Sequence, residues 1–255
     1  NNTYIDIHTD MIINLSSVDV DLVKNRNFTV VVDAVNSTGG LAVPELLKKL
    51  GVNVIELYCN PNGEFPHNPE PLKENLKDLS ELVIKEKADL GIVVDPDVDR
   101  LAFVSENGEV FGEEYTLVAC ADYFLKNNPG NTVSNLSSSR ALKDVTELNG
   151  CKHFFSAVGE VNVVEMMKEK NAVIGGEGNG GIILPELHYG RDALVGIALF
   201  LTYLSKLNIS CSQLRSTYPN YFMSKRKAEL IKSVDIDLVL ENIKRKYSKE
   251  KINIQ

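Results

Sequence analysis

The alternation of strand and helix patterns between residues 28 and 57 most constrains the fold of this chain. Residues 28–33 are rich in β-branched side chains, and after a short loop Val43, Leu46, Leu47 and Leu50 follow the spacing of one helix face. That pattern stops at Gly51, and residues 52–57 again have the composition of a strand. A strand, a helix and a second strand in this order form a βαβ unit, which predicts a parallel sheet.

The alternation recurs in the second half of the chain, which predicts a second α/β unit. Strand patterns at 90–94 and 101–105 complete the first unit. In the second unit, strand patterns lie at 132–136, 153–156 and 172–174, and helix patterns lie at 115–125, from Arg140, at 161–170 and around 194–201. The pair Asn107-Gly108 predicts a type I′ hairpin turn that adds an antiparallel strand.

We therefore predict an α/β protein of two consecutive α/β/α three-layer domains, each around a mostly parallel mixed sheet of about four strands. The predicted boundaries are 1–109 for the first domain, 110–218 for the second, and 219–255 for a mainly helical connector.

The composition of the chain disfavours several classes of partner. A net charge of −8 and a pI of about 5.1 disfavour nucleic acid and anionic membrane surfaces. The sequence has no apolar run of membrane-spanning length and no signal-peptide pattern. The four cysteines lack metal or redox spacing, so free thiols in a reducing, cytoplasmic compartment are expected.

Residues 95–100 read Asp-Pro-Asp-Val-Asp-Arg and follow the apolar strand pattern at 90–94. Three carboxylates this close repel one another unless a cation neutralises them, and hard oxygen ligands suit Mg²⁺ or Ca²⁺. The end of a central strand is where open α/β sheets bind ligands. We predict that Asp95, Asp97 and Asp99 bind a metal ion.

An EF-hand calcium loop is the closest alternative for this run. Its aspartates and Glu106 at position 12 fit, but Arg100 stands where the loop requires glycine, and the flanking patterns are strands. A solvated aspartate loop without a ligand is the other alternative.

Residues 175–181 read Gly-Gly-Glu-Gly-Asn-Gly-Gly. A dinucleotide fingerprint would have to open a helix, whereas Ile-Ile-Leu-Pro follows here. Glu177 and Asn179 provide a two-oxygen acceptor and an amide, which suits vicinal hydroxyls of a sugar. A flexible glycine loop remains the alternative.

Three arginines, Arg100, Arg140 and Arg191, are candidates for phosphate binding, because a planar guanidinium matches phosphate oxygens. Each of them alone fits a surface ion pair equally well. His67 and His188 titrate near neutrality, but a lone loop histidine is usually structural.

Together these motifs resemble the phosphohexomutase family (phosphoglucomutase, phosphomannomutase and phosphoglucosamine mutase). The metal loop of that family, Asp-x-Asp-x-Asp-Arg, is matched by Asp95, Asp97, Asp99 and Arg100. Its sugar loop, Gly-Glu-x-Ser/Asn-Gly, is matched by Gly176, Glu177, Asn179 and Gly180. Further matches lie at 139–140, 158–160, 190–192 and around 221–225, so the resemblance covers essentially the whole chain.

The resemblance implies transfer of phosphate between the 1- and 6-positions of a hexose phosphate, through a bisphosphate intermediate and a phosphoserine. In that reaction the three aspartates would hold Mg²⁺, and Arg100 would stabilise phosphate charge. Glu177, Asn179 and Gly180 would bind the sugar hydroxyls, with Arg140 and Arg191 as further substrate ligands.

The resemblance also implies a fragment. Family enzymes have four domains, with a Ser-His-Asn-Pro loop in the first and a Thr-Glu-Pro loop in the fourth, and neither string occurs here. In the similar string at 66–69, Pro66 stands in place of the serine nucleophile. We therefore expect only domains two and three of a longer enzyme, inactive without the other two. The oligomeric state is left open.

The chain departs from the pattern of many bacterial phosphomannomutases. Gly181 replaces a histidine at the end of the sugar loop, and Ala157 and Glu160 stand where some members have lysine and histidine. This variant resembles archaeal-type phosphoglucosamine and phosphomannomutases more than glucose-specific enzymes. A non-catalytic module that binds a metal or a sugar phosphate remains the alternative function.

Overall fold

The structure, a computed structural model, describes residues 3–224 and 234–250. Two compact units divide the chain, the first over residues 1–220 and the second over 221–255. In the second unit, helix α10 (Ile236–Lys246) lies within the predicted connector, and the connector's residues 225–233 and 251–255 lie outside the described residues.

The first half of the larger unit contains one sheet with its helices. Its elements are α1 (Thr3–Ile13), α2 (Val20–Arg26), β1 (Thr29–Asp33), α3 (Gly39–Lys49), β2 (Asn53–Leu57), a 3₁₀ turn (Lys73–Asn75), α4 (Lys77–Glu86), β3 (Leu90–Val94) and β4 (Leu101–Ser105). The strand order is β2-β1-β3-β4, with β1 parallel to β2 and β3, and β4 antiparallel to β3.

The second half repeats this plan. Its elements are α5 (Glu113–Asn127), β5 (Asn131–Asn135), α6 (Ala141–Leu148), β6 (His153–Ser156), α7 (Glu160–Lys170), β7 (Ala172–Glu177), β8 (Gly181–Ile183), α8 (Ala193–Leu207) and α9 (Cys211–Ser216). The order is β6-β5-β7-β8, and only β8 is antiparallel to its neighbour. The predicted fold class, two α/β domains with mostly parallel four-stranded sheets, is confirmed.

Helix α3 shows why the sequence pattern predicted this fold. Its apolar face, including Val43, Leu46 and Leu47, is completely buried. Burial of an aliphatic side chain of this size contributes about 1.5–3 kcal/mol relative to exposure. Gly51 then adopts a φ of +70°, a left-handed conformation that ends the helix and starts the turn into β2.

The two halves share one hydrophobic core. The ring of Phe103 in β4 stacks on Phe200 in α8, with 3.8 Å between the ring centroids, and Phe111 meets both rings edge-on. The predicted domain boundary at residue 109 lies between β4 and α5, and it remains a prediction. Packing across this position is continuous.

The turn at residues 107–108 differs from the prediction. Gly108 has a φ of +81°, but Asn107 does not have the positive φ that a type I′ turn requires. The N–H of Gly108 donates to the Ser105 carbonyl at 2.8 Å, which is the arrangement of a type I turn followed by a bulge. The antiparallel strand is β4 itself, and beyond the turn only an isolated bridge joins Val104 to Val110.

The cysteines agree with the prediction of free thiols. Burial raises the pKa of the Cys59 thiol to about 12, so it is a poor nucleophile at neutral pH. None of the helices in the described ranges is long and apolar enough to cross a bilayer.

His153, the first residue of β6, is expected to make the free energy of unfolding depend on pH. Its Nδ1 lies 2.8 Å from Thr132 Oγ1, and its Nε2 lies 3.2 Å from Ser134 Oγ. Desolvation by burial, and to a smaller extent the charge of Lys143, lower the pKa of His153 to about 4. The unfolded chain therefore takes up a proton here below about pH 6.5, whereas the folded chain takes it up only near pH 4.

We expect the free energy of unfolding to decrease as the pH is lowered from about 6.5 to about 4. In His153→Gln this decrease should be smaller by about 2 kcal/mol. Urea unfolding at pH 7 and pH 4.5 measures it. His8→Gln serves as a control of opposite sign, because a hydrogen bond to Asp192 raises the pKa of His8 and its stabilisation is lost as the pH rises. Parallel pH profiles for His153→Gln and the unmodified chain would contradict the prediction.

Candidate functional site

Asp95 organises the loop that joins β3 to β4. It follows five buried residues of β3 and is itself completely buried. Its Oδ1 accepts the backbone N–H groups of Asp99 at 3.0 Å and Arg100 at 2.9 Å, and its Oδ2 accepts Arg100 Nε at 2.7 Å. One buried carboxylate therefore closes the loop and fixes the direction of the Arg100 side chain.

The three predicted metal ligands lie together. One carboxylate oxygen from each of Asp95, Asp97 and Asp99 lies within 4.8 Å of the other two. The Oδ1 atom of Asp99 is buried and accepts no hydrogen bond within the described part of the chain. Desolvation, and then the charge of Asp95, raise the pKa of Asp99 to about 7. A buried acceptor beside two further carboxylates fits a divalent cation with oxygen ligands, such as Mg²⁺.

The flanks of this loop contradict the EF-hand alternative. An EF-hand joins two helices through a loop with glycine at position 6. Here the strands β3 and β4 flank the loop, and Arg100 occupies the sixth position.

Two neighbouring segments hold the metal loop in a strained conformation. Val98 has a φ of +62°, which is unfavourable for a β-branched residue. Its N–H donates to Asp95 O at 3.1 Å, and its carbonyl accepts the N–H of Ala193 at the start of α8 at 3.0 Å. The hydroxyls of Ser37 and Thr38 both donate to the carbonyl of Pro96, at 2.9 and 2.7 Å.

The glycine run is a tight hairpin, which contradicts the flexible-loop alternative. Strand β7 extends to Glu177, and β8 begins at Gly181, so only three residues form the turn. Gly180 has a φ of +90°, and its carbonyl accepts the N–H of Leu101 at 3.2 Å. A Cβ atom on Gly180 would lie 2.2 Å from the Leu101 carbonyl oxygen, so glycine is required for this approach.

Glu177 is the last residue of β7, immediately before the predicted sugar turn, and its side chain is buried. Its Oε1 accepts Asn135 Nδ2 at 2.6 Å, and its Oε2 pairs with Arg191 Nη1 at 2.9 Å. Asn179 lies beside it, and its Oδ1 accepts the N–H of Gly181 at 3.2 Å. Each carboxylate oxygen has two lone pairs, so Glu177 keeps capacity to accept a sugar hydroxyl.

Arg191 joins the two motifs. Its Nη2 contacts Asp99 Oδ2 in the metal loop, while its Nη1 pairs with Glu177 in the sugar turn. Its Nε lies 3.3 Å from Oε2 of Glu160. The structure thus brings the predicted metal ligands, Arg191 and Glu177 into one site.

Arg140 has a different setting. It is exposed at the start of α6, and its side chain has no hydrogen bond or ion pair to any described residue. Its role as a substrate ligand remains a prediction.

Sequence reasoning missed Asn135 and the contact of Glu160 with Arg191. Asn135 is the last residue of β5 and is buried. Asn135 could have been identified as a candidate because it is a polar residue at the end of a strand pattern, and ligand sites in open α/β sheets form at that edge. Glu160 was identified only as a departure from the family pattern, and its pairing needs the fold.

The histidines have structural partners. His8 Nε2 and His188 Nε2 lie 2.7 and 3.0 Å from Asp192 Oδ2, and Asp192 Oδ1 caps α8. Nδ1 of His188 accepts the N–H of Gly190, so its Nε2 carries the proton and is not available to a metal. His67 Nε2 lies 2.9 Å from Asp33 Oδ2.

A cavity of about 790 Å³ lies away from these loops, between α5, α6, α8 and α9. Its lining includes Asp122, Lys126, Leu148, Tyr203 and Tyr218, and none of the residues predicted to bind a metal or a sugar. The candidate site is therefore the open cluster at the loop ends and not this cavity.

Comparison with known proteins gives two family matches. The model of phosphoglucomutase/phosphomannomutase alpha/beta/alpha domain II matches residues 6–108, and the model of domain III matches residues 112–221. The phosphoglucomutase/phosphomannomutase of Thermococcus kodakarensis is 38% identical over 212 residues, which are 82% of this chain and 46% of that protein. The probable phosphoglucosamine mutase of Methanopyrus kandleri is 33% identical over 229 residues, 89% and 50% of the two chains.

Solved structures give the same result for the fold. A phosphoglucomutase/phosphomannomutase family protein from Burkholderia thailandensis has a TM-score of 0.70 at 28% identity, covering 79% of this chain and 46% of its own. A putative phosphomannomutase from Thermus thermophilus has a TM-score of 0.77 at 22% identity, covering 84% and 49%. The chain spans about half the length of the curated relatives it matches.

Proposed function

Because the chain belongs to the phosphoglucomutase/phosphomannomutase family and contains its domains II and III, we propose that it is the central part of a Mg²⁺-dependent phosphohexomutase. The whole enzyme would interconvert hexose 1-phosphate and hexose 6-phosphate through a bisphosphate intermediate. The names of its relatives support a glucosamine, mannose or glucose phosphate as the substrate, and the sequence of the sugar turn favours the first two. Domains I and IV of the same protein would supply the phosphoserine and a second phosphate-binding loop.

The contact between the metal loop and the sugar turn carries this proposal. Leu101 donates to Gly180, and Arg191 pairs with both Asp99 and Glu177. A phosphoryl group and a sugar hydroxyl held at these two loops would therefore lie side by side, which is the arrangement that phosphoryl transfer requires.

The residues of the metal loop would stabilise the transferred phosphoryl group. Asp95, Asp97 and Asp99 would hold Mg²⁺, which when bound supplies Lewis-acid stabilisation of phosphoryl charge. Arg100 is directed by Asp95 and lies 3.4 Å from Glu70 through Nη1, so its guanidinium is held beside the loop with little freedom. A preorganised positive charge of this kind lowers the barrier where negative charge develops.

The residues of the sugar turn would orient the substrate. Glu177 presents a carboxylate fixed by Asn135 and Arg191, and Asn179 adds an amide from the tip of the turn. In the proposed reaction the sugar would bind in two orientations, which present its 1- and its 6-position in turn, and hydroxyl recognition by such acceptors needs no change of the protein between them. The chain contributes no phosphoserine loop of the family type, so it should turn over nothing by itself.

Phosphorus-31 NMR of the full-length parent tests the proposal. The parent is mixed with Mg²⁺, a trace of hexose bisphosphate and the 1-phosphate of glucosamine, mannose or glucose, with this chain as the matched control. We expect a 6-phosphate signal with the parent only. Turnover by the isolated chain would contradict its assignment as an incomplete fragment. No conversion by an intact, phosphorylated parent would favour the non-catalytic binding module.

A further inference from the structure

We propose that Arg191 is a positioning residue that holds the metal-binding carboxylate of Asp99 and the sugar-binding carboxylate of Glu177 in a fixed relation. A side chain at Gly181 would meet the stem of Arg191, which fills the space beside it. This inference rests on the proposed function for the meaning of the two carboxylates. It changes the expected role of Arg191 from a ligand of the substrate to a residue that positions the carboxylates of Asp99 and Glu177.

All three guanidinium nitrogens of Arg191 face protein carboxylates, although Nε is buried and makes no hydrogen bond within the described residues. One terminal nitrogen contacts Asp99, the other lies 2.9 Å from Glu177, and Nε faces Glu160 at 3.3 Å. Only 18% of the side chain is exposed. A planar fork whose two terminal nitrogens each contact a different carboxylate fixes the spacing of the two carboxylates it joins.

The backbone around Arg191 is anchored to both loops. Its own N–H donates to Glu160 Oε1 at 3.0 Å, and it forms a bridge with Ile183 in β8. The next residue, Asp192, donates to Ile182 O at 2.8 Å, and Ala193 donates to Val98 O in the metal loop. The side chain therefore extends from a base that is already attached to the two motifs it connects.

Gly181 gives independent evidence that this position is built into the site. A Cβ atom there would lie 2.4 Å from Arg191 Cδ and 3.1 Å from its Cγ. The φ of Gly181 is not positive, so its backbone conformation would accept alanine. The main obstacle to a side chain at residue 181 is therefore the stem of Arg191.

Charge and geometry at Arg191 predict opposite effects on the two ligands. Its positive charge contacts Asp99 and opposes a second cation there, so removing the charge should strengthen Mg²⁺ binding. Its fork holds Glu177 in place, so removing the fork should weaken sugar binding. General damage to the fold would weaken both, which separates a positioning role from simple destabilisation.

The experiment compares Arg191→Met and Arg191→Lys. In this chain, Mg²⁺ titration calorimetry should show about fivefold tighter binding for Arg191→Met and an affinity within about twofold of the unmodified chain for Arg191→Lys. In the full-length parent, the KM for the hexose phosphate should rise about tenfold in both variants, because a lysine point charge cannot hold two carboxylates. Lys85→Met, on α4, is the matched control and should change neither value.

Gly181→Ala provides the second arm, since it displaces the arginine without removing any charge. Alone, it should raise KM about as much as Arg191→Lys does. Combined with Arg191→Met, it should raise KM by less than about a further twofold, because the contact it disturbs is already absent. A normal KM for Arg191→Lys, weaker Mg²⁺ binding for Arg191→Met, or full additivity of the two substitutions would each overturn the inference.

The outcome also distinguishes this inference from the proposed function. A parent without mutase activity would refute the function alone, and the double-variant cycle would then be measured in this chain as Mg²⁺ affinity and free energy of unfolding. Non-additive values would still support the contact between Gly181 and Arg191 as a positioning device, and additive values would overturn it.

Discussion

Asp95→Asn should cost the folded chain about 3 kcal/mol and abolish measurable Mg²⁺ binding. The substitution preserves shape, but the buried carboxylate accepts two backbone N–H groups on one oxygen and Arg100 on the other. An asparagine in either orientation turns its NH₂ group towards one of these donors. The charge that pairs with Arg100 is lost as well, so no orientation of the amide restores the loop.

Asp97→Asn is the matched control, because Asp97 is an exposed member of the same cluster. Its stability should stay within about 0.5 kcal/mol of the unmodified chain, while Mg²⁺ affinity falls about tenfold or more. Urea unfolding in the presence of a chelator measures stability, and calorimetry measures metal affinity. Equal stability of the Asp95→Asn and Asp97→Asn variants would contradict the dual role assigned to Asp95.

Gly180→Ala should destabilise the chain by about 3 kcal/mol and separate the sugar turn from the metal loop. Two causes add. The φ of +90° is unfavourable for alanine, and the new Cβ would lie 2.2 Å from a backbone oxygen of Leu101, which cannot move without β4. The expected loss is measured by urea unfolding, with faster hydrogen exchange of the Leu101 amide as a local signal.

Gly150→Ala isolates the first of these causes. Gly150 also has a positive φ, +72°, but nothing lies within 4 Å of its Cβ position. This control should lose only about 1 kcal/mol, so the difference between the two variants measures the contact with Leu101. Equal losses would mean that the contact does not contribute.

Periodicity predicted the elements that bury one face. Helix α3 and strands β1, β2 and β3 lie close to their predicted bounds, because a wrong register would expose residues such as Leu46 or Ile92 that are completely buried. The predicted type I′ turn at Asn107 was wrong because the turn type depends on backbone angles, and here the only positive φ in the turn is that of Gly108.

The candidate site was predicted only where its residues adjoin in sequence. The aspartates of the metal loop lie two residues apart, so their repulsion is evident from the chain alone. The partners of Arg191 are Asp99, Glu160 and Glu177, which lie up to 92 residues away and meet only after both sheets have formed. No local pattern records such a contact, so the sequence identified Arg191 but assigned it a different partner.

The contacts that join the two halves of the larger unit limit how these halves can move relative to each other. Leu101 donates to Gly180, Ala193 donates to Val98, and Phe103 stacks on Phe200, so a hinge between β4 and α8 would have to break all three contacts. These two domains should therefore move together as one rigid body. In the proposed reaction, the space in which the sugar reorients would be opened by the other domains of the parent enzyme. The amides of Leu101 and Ala193 should exchange only when the whole unit unfolds.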